Sequence, residues 1–251
     1  MVASKQVLDI ASYAGEIILA NGAEIYRVEE TINKICRAYN IKYVESFVTP
    51  TGFFLSIDDG EYIHTVTKRI HHRSINLTKI QLINQFSRNL QQQPLNYETA
   101  LTELHSIKNT EPTYNFPAVL VLTSLASAMY VILTKANYFN LFPAFLGSFS
   151  SQLIIKQSGF LKNINYIPEV TAGFIGGIIA LSFNSFQPAY DLSVITVSSI
   201  LPFVPGFSAT NAIRDAINGD LISATSRGVE VILTSISLAA GVAFSLGVVN
   251  I

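Results

Sequence analysis

The residues best able to do chemistry lie late in the chain, in the run Pro205-Gly206-Phe207-Ser208-Ala209-Thr210-Asn211-Ala212-Ile213-Arg214-Asp215 and its continuation through Gly219-Asp220 and Ser223 to Arg227 and Glu230. Asp220, Ser223, Arg227 and Glu230 are spaced i, i+3, i+7 and i+10, which puts all four on one face of a helix; Asn211, Arg214 and Asp215 share a face of the segment before it. Glu230 is followed by 21 uncharged residues. Ionisable groups in or beside such apolar stretches are expensive, and they mark a substrate or proton pathway or an internal ion pair. A solvated loop with an i, i+3 pair of Arg227 and Glu230 is the competing reading. Pro202 and Pro205-Gly206 also admit two readings, loop punctuation or a broken helix whose freed backbone groups hold a substrate at membrane depth. Their place late in a 22-residue uncharged stretch favours the break.

Other chemistries find little support. His64, His71, His72 and the pair Asp58-Asp59 could be drawn as a metal site, but no HExxH or spaced carboxylate pattern accompanies them, and a solvated strand end is the expectation. There is no GxSxG elbow and no phosphate-cradling GxxxxGK[ST] run, so neither serine hydrolysis nor ATP-driven transport within this chain is expected. No metal, cofactor or catalytic residue is assigned. The single cysteine, Cys36, excludes an internal disulfide or a CxxC pair. A formal net charge of -1 disfavours a nucleic-acid partner.

The elements that must position these residues follow from the charge distribution. Only 13% of the 251 residues are charged, about half the usual share of a soluble domain. Residues 1–111 hold 11 Lys+Arg and 12 Asp+Glu, whereas residues 112–251 hold five of each. Between those sparse charges lie five uncharged stretches, 112–134, 136–155, 170–190, 192–213 and 231–251. Each has the ~20 residues that a membrane-spanning helix needs. Five transmembrane helices over 112–251 are therefore expected, behind an N-terminal domain over 1–111. Lys5, Asp9 and Glu16 interrupt any signal peptide, so the N-terminal domain is expected in the cytoplasm. Lys156, Lys162, Arg214 and Arg227 would then fall inside and only Lys135 outside, with Ile251 outside.

Residues 1–111 read as a small α+β domain. Helices are expected over 5–20, ended by Asn21-Gly22, and from Ile25 to Tyr39, where Ile25, Val28, Ile32, Ile35 and Tyr39 share one face. Strands are expected over 43–48, 53–57 and 62–70, the first two joined around Thr49-Pro50-Thr51-Gly52, and helices over 75–91 and 97–108. By spacing alone Tyr26 and Arg27 are the exposed flank of the second helix. Gly173-Phe174-Ile175-Gly176-Gly177 contains GxxxG, a surface for close helix contact that could serve assembly with another subunit.

Three segments together resemble the threonine/serine exporter family, in its larger-subunit (ThrE/YjjP) type. They are Asn21-Gly22-Ala23-Glu24-Ile25-Tyr26-Arg27-Val28-Glu29, Thr49-Pro50-Thr51-Gly52, and the run from Pro205-Gly206 through Asn211, Arg214, Asp215, Asp220, Ser223 and Arg227 to Glu230. The resemblance covers most of 5–108 and 165–247, while 115–160 match only in hydropathy. Ala224 stands where the family usually has glycine. The resemblance implies a bacterial inner-membrane exporter of small polar metabolites, threonine or serine in some members and a dicarboxylate such as succinate in others. It further implies a motif in the cytoplasmic domain at Asn21, Gly22, Glu24, Arg27 and Glu29, and a partnership in split members with a short all-membrane subunit. A second copy of the chain is the other candidate partner. The rival reading is a membrane-tethered sensor or assembly subunit whose cytoplasmic domain binds a ligand or partner.

Overall fold

The computed structural model describes residues 2–162, 164–187 and 189–249. The expected outside position of Ile251 lies outside the described residues. Two compact units emerge. One comprises residues up to 113 together with 210–227, the other 114–209 with 228–251.

In the first unit, α1 (Ser4–Ala20) and α2 (Ile25–Ala38) are followed by strands β1 (Tyr43–Thr49), β2 (Gly52–Asp58) and β3 (Ile63–Arg69), then α3 (Leu77–Gln92) and α4 (Tyr97–Lys108). The strands form an antiparallel sheet in the order β1-β2-β3, with Val48 opposite Phe53 and Leu55 opposite Val66. Alternation places Phe53, Leu55 and Ile57 inward. They meet Val7, Ile10, Ala14 and Ile17 of α1, Val28, Ile32 and Ile35 of α2, and Ile83, Phe86 and Leu90 of α3 in one core. Asn76 and Asn96 cap α3 and α4 by accepting from the amides of Lys79 and Thr99. Gly22, at φ 94°, ends α1 and lets the Ala23 amide return to the Ile18 carbonyl. Cys36 is fully buried in this core, which pushes its thiol up to about 12 and leaves it inert.

The second unit contains α5 (Phe116–Leu133), a 3-10 turn at Tyr138–Asn140, α6 (Leu141–Gln157), the short α7 (Gly159–Lys162), α8 (Ile167–Phe186), α9 (Leu192–Ile200) and a second 3-10 turn at Leu201–Phe203. The next helices, α10 (Gly206–Ile217) and α11 (Leu221–Val249), each run from one unit into the other. Three helices, α5, α8 and α11, are long and apolar enough to cross a membrane, and up to four if the bent pair of 192–203 and 206–217 is one span. Of the five expected stretches, 136–155 yields a helix of 17 residues. The stretch 192–213 breaks, bending by 65° between Phe203 and Gly206. Pro202 and Pro205 lack the amides that would continue the ladder and their rings crowd the preceding turn, so the break falls where two prolines stand close together.

Close packing within this unit rests on glycine. A Cβ on Gly173 would strike the Leu238 carbonyl, one on Gly177 the Ser245 hydroxyl, and one on Gly241 the Val170 carbonyl. The GxxxG surface, expected to serve assembly with another subunit, is therefore occupied by α11 of the same chain. The side chain of Asn140 accepts from the Asp191 amide at 2.8 Å, which ties the start of α6 to the start of α9.

Candidate functional site

The two sequence-distant motifs meet inside the first unit. The turn between α1 and α2 presents a row of backbone groups, and the α10–α11 corner supplies the side chains that take them. Asn211 donates through Nδ2 to the Gly22 carbonyl at 3.0 Å. Arg227 donates through Nη2 to the Ala23 carbonyl at 2.9 Å. Asp215 accepts the Ile25 amide on Oδ1 at 3.3 Å. Ile25 is the first residue of α2, so the Asp215 carboxylate serves as an anionic cap where the helix dipole favours one.

The charges interlock around those contacts. Arg227 Nε lies 3.0 Å from Asp215 Oδ2, with Asp215 fully buried and Arg227 only 7% exposed. The alignment of that ion pair falls short of a hydrogen bond. Glu24, nearly buried, accepts from Arg27 Nε at 2.8 Å and from Arg214 Nη1 at 2.5 Å. Burial alone would push the Glu24 carboxyl up, but its backbone amide and the two guanidinium groups outweigh that and hold it below its ordinary value. The corner that aims these residues is a tight one. Gly219 sits at φ 89°, and the Asp220 amide donates back to the Asp215 carbonyl at 2.9 Å.

Glu29 and Asp220 stand apart from that network. Glu29 is half-buried on α2, and burial together with the neighbouring Asp220 carboxylate holds its pKa above the ordinary value, against a smaller opposing pull from the Val48 backbone. Ser223 is 2% exposed on the first turn of α11. Asn21 does other work: its Nδ2 donates to the Ile17 carbonyl at 2.7 Å, and its Oδ1 accepts from Ser74, so it closes α1. Pro205 and Gly206 stand at the 65° break and Glu230 is half-buried on α11, all three in the second unit. Among the described residues no group of three His, Cys, Asp or Glu could hold a metal ion. His64 instead pairs with Asp59 at 3.2 Å on the strand turn.

Sequence reasoning left Arg27 on an exposed flank, whereas it is half-buried against Glu24; the i, i+3 spacing of the two was the available signal. The backbone groups of Gly22, Ala23 and Ile25 carried no signal at all. A second set of polar residues was also missed, in the region matched only by hydropathy. Gln152 of α6 accepts from Thr123 at 2.8 Å and donates to Ser124 and Ser148, and Ser127 donates to Ser148 at 3.2 Å. On α9, Ser198 is fully buried and its hydroxyl is unpartnered among the described residues.

A family model described as "Putative threonine/serine exporter" (ThrE) matches residues 9–249. The "Threonine/serine exporter" of Corynebacterium glutamicum is 22% identical over 254 residues, an alignment covering 96% of this chain and 50% of that protein. The "Probable succinate transporter subunit YjjP" of Escherichia coli is 23% identical over 247 residues, covering 96% of this chain and 94% of its own length. The protein of the same name from Klebsiella aerogenes is 24% identical over 235 residues. The chain thus spans half the length of the first relative and nearly all of the second. No solved structure matches. With 241 consecutive residues inside the family match, the chain belongs to the ThrE family of threonine/serine exporters.

Proposed function

We propose that this chain is a membrane exporter subunit for small polar metabolites, either amino acids of the threonine/serine type or a dicarboxylate such as succinate. The observation that carries the reading is the buried network joining residues 22–27 to residues 211–227. A buried ion pair is a poor way to stabilise a fold, because well-packed apolar side chains of the same volume often serve as well or better. Asp215 and Arg227 are therefore read as part of the transport machinery, at the point where the N-terminal domain meets two helices that continue into the apolar unit. The names of the relatives supply the solute classes, and "subunit" in two of them supports a partner subunit.

Five crossings, with the N-terminal domain in the cytoplasm of a bacterial inner membrane, remain the topology that fits best. At 1.5 Å per residue the 17-residue α6 is about 26 Å long, near the short end of known spans. The Asn140–Asp191 bond supports a common side for the α5–α6 and α8–α9 connections. Residues 210–227 fold with residues up to 113, which supports a common side for the α10–α11 corner and the N-terminal domain. Both relations follow from alternating crossings, and the basic residues then fall mainly inside.

The test measures intracellular and external threonine, serine and succinate in cells lacking this chain, in cells overproducing it, and in cells overproducing it with a neighbouring small membrane protein. Accumulation inside on loss, and release on overproduction, is the expected result. Unchanged pools in every strain would contradict the exporter reading and return the chain to a tethered sensor.

A further inference from the structure

Polar side chains of α5, α6 and α9 gather at one level of the second unit. Helices α6 and α9 start side by side at the Asn140–Asp191 bond, and Gly147 then abuts Ser199, so the two run in the same direction and Ser198 stands level with Ser148. Ser148 lies near the middle of α6 and accepts from Ser127 of α5 at 3.2 Å. Helix α9 packs against α5, α6 and α8. Its α8 side is marked by Ser199 and Ile200, which both meet Gly176. At about 100° per residue, Ser198 points away from α8, and its full burial there comes from α5 and α6. Three helices thus aim serines into one place. One turn farther along α6, Gln152 ties Thr123 and Ser124 of α5 to Ser148.

Hydrogen bonds between helices hold apolar bundles together, and for Ser127, Ser148 and Gln152 that role would suffice. It does not account for Ser198. The Ser198 hydroxyl is fully buried and has no partner among the described residues, so in this packing its burial costs free energy with no bond to offset it. A hydroxyl kept under that cost suits a partner that comes and goes. Polarity is also uneven along the interface. Toward Asn140 and Asp191 it is closed by Ala128, Val131, Ala144 and Ile195, each 4% exposed or less. We infer that the α5–α6–α9 interface is the route of the solute through the apolar unit, shut in this structure, with Ser198 as a contact that the passing solute satisfies. The inference rests on the exporter reading and deepens it by placing the route. The buried polar residues of these three helices are all uncharged, so the route serves a small solute through hydrogen bonds to hydroxyl and amide groups. Under the proposed topology its apolar end faces outside, as a closed gate, and the end with Gln152 and Thr123 faces the cytoplasm from which an exported solute enters.

The experiment places single cysteines in the full chain in a Cys36→Ala background and measures their reaction with 2-aminoethyl methanethiosulfonate in inverted membrane vesicles. The thiolate is the reacting form and needs water, so a cysteine in dry helix packing stays inert. Ser127→Cys, Ser148→Cys and Ser198→Cys react roughly tenfold or more faster than Ser245→Cys, a control equally buried in the same unit against Gly177. Saturating amounts of the solute that the cellular assay shows to be exported, among threonine, serine and succinate, slow the reaction. Ser198→Ala removes the unpartnered hydroxyl, so the protein accumulates in the membrane at least as well as the unaltered chain, yet efflux per folded protein falls roughly threefold or more, as for a lost hydrogen bond to the solute. The inference is overturned if the three cysteines react no faster than the control, if the exported solute leaves their rates unchanged, or if Ser198→Ala exports like the unaltered chain. Failure of the exporter reading looks different, with cellular pools unmoved by loss of the chain while the three cysteines still outpace the control.

Discussion

Asp215 and Arg227 face each other with both side chains buried, while Arg214 reaches Glu24 with its own side chain 53% exposed, and the two pairs must respond differently to substitution. Asp215→Asn or Arg227→Met leaves one buried charge uncompensated, a loss of about 3–5 kcal/mol. Arg214→Gln loses a solvent-screened contact worth under about 1 kcal/mol. Protease resistance of the purified chain, read for the three variants, checks that ordering. Glu24 and Glu29 give the same unit a pH dependence of opposite signs. The Glu24 pKa is lowered by folding, so its contribution to stability is complete above its ordinary value of 4.5 and is lost as pH falls through the lowered folded value. Glu29 is raised by folding, so its ionised form opposes folding at neutral pH and protonation relieves that cost. Amide protection at Ile25 and Val28 should therefore hold or rise from pH 7 to about 5, then fall in more acid solution. Glu24→Gln should remove the acid loss and Glu29→Gln the neutral-side cost; a flat profile in the unaltered chain would contradict both assignments.

At the level of elements, the 3-and-4 spacing of Ile25, Val28, Ile32 and Ile35 suffices to define the buried face of α2, and Pro205-Gly206 marks the break that the chain takes. Helix α4 spans Tyr97–Lys108, the range its pattern predicts. These features are local, and local spacing carries them. The pairing of the α1–α2 turn with α10 and α11 was beyond reach, because three of its hydrogen bonds end on backbone groups of Gly22, Ala23 and Ile25 that have no side-chain signature. The partner of the GxxxG stripe was hidden for a similar reason. A stripe of small residues announces close contact without saying with what, and here α11 answers through Gly241. Gly173→Leu or Gly241→Leu must push α8 and α11 apart, so either variant should strongly reduce the amount of protein that accumulates in the membrane. Normal accumulation with loss only of a partner subunit would return the stripe to assembly. In contrast, Pro205→Ala restores a backbone donor at the break and should leave accumulation intact, with any effect confined to export.

Across the whole molecule, the chain joins a charged α+β unit to an apolar helical one through two helices that belong to both. Reporter fusions after residues 110 and 162 should both read cytoplasmic, and one within 134–137 should read outside; an outside reading at 162 would break the alternation of crossings. The ion network brings Glu24, Arg27, Asn211, Arg214, Asp215 and Arg227 together around the α1–α2 turn, and we propose that this set is necessary for export. The most direct measurement is a double-mutant cycle on threonine, serine and succinate efflux with Asp215→Asn, Arg227→Met and the pair, each normalised to the folded protein present in the membrane. If the two residues act as one device, each single variant loses tenfold or more of the efflux and the double variant loses no more than the worse single one. Unaltered efflux in either single variant, or losses that multiply in the double variant, would contradict the account.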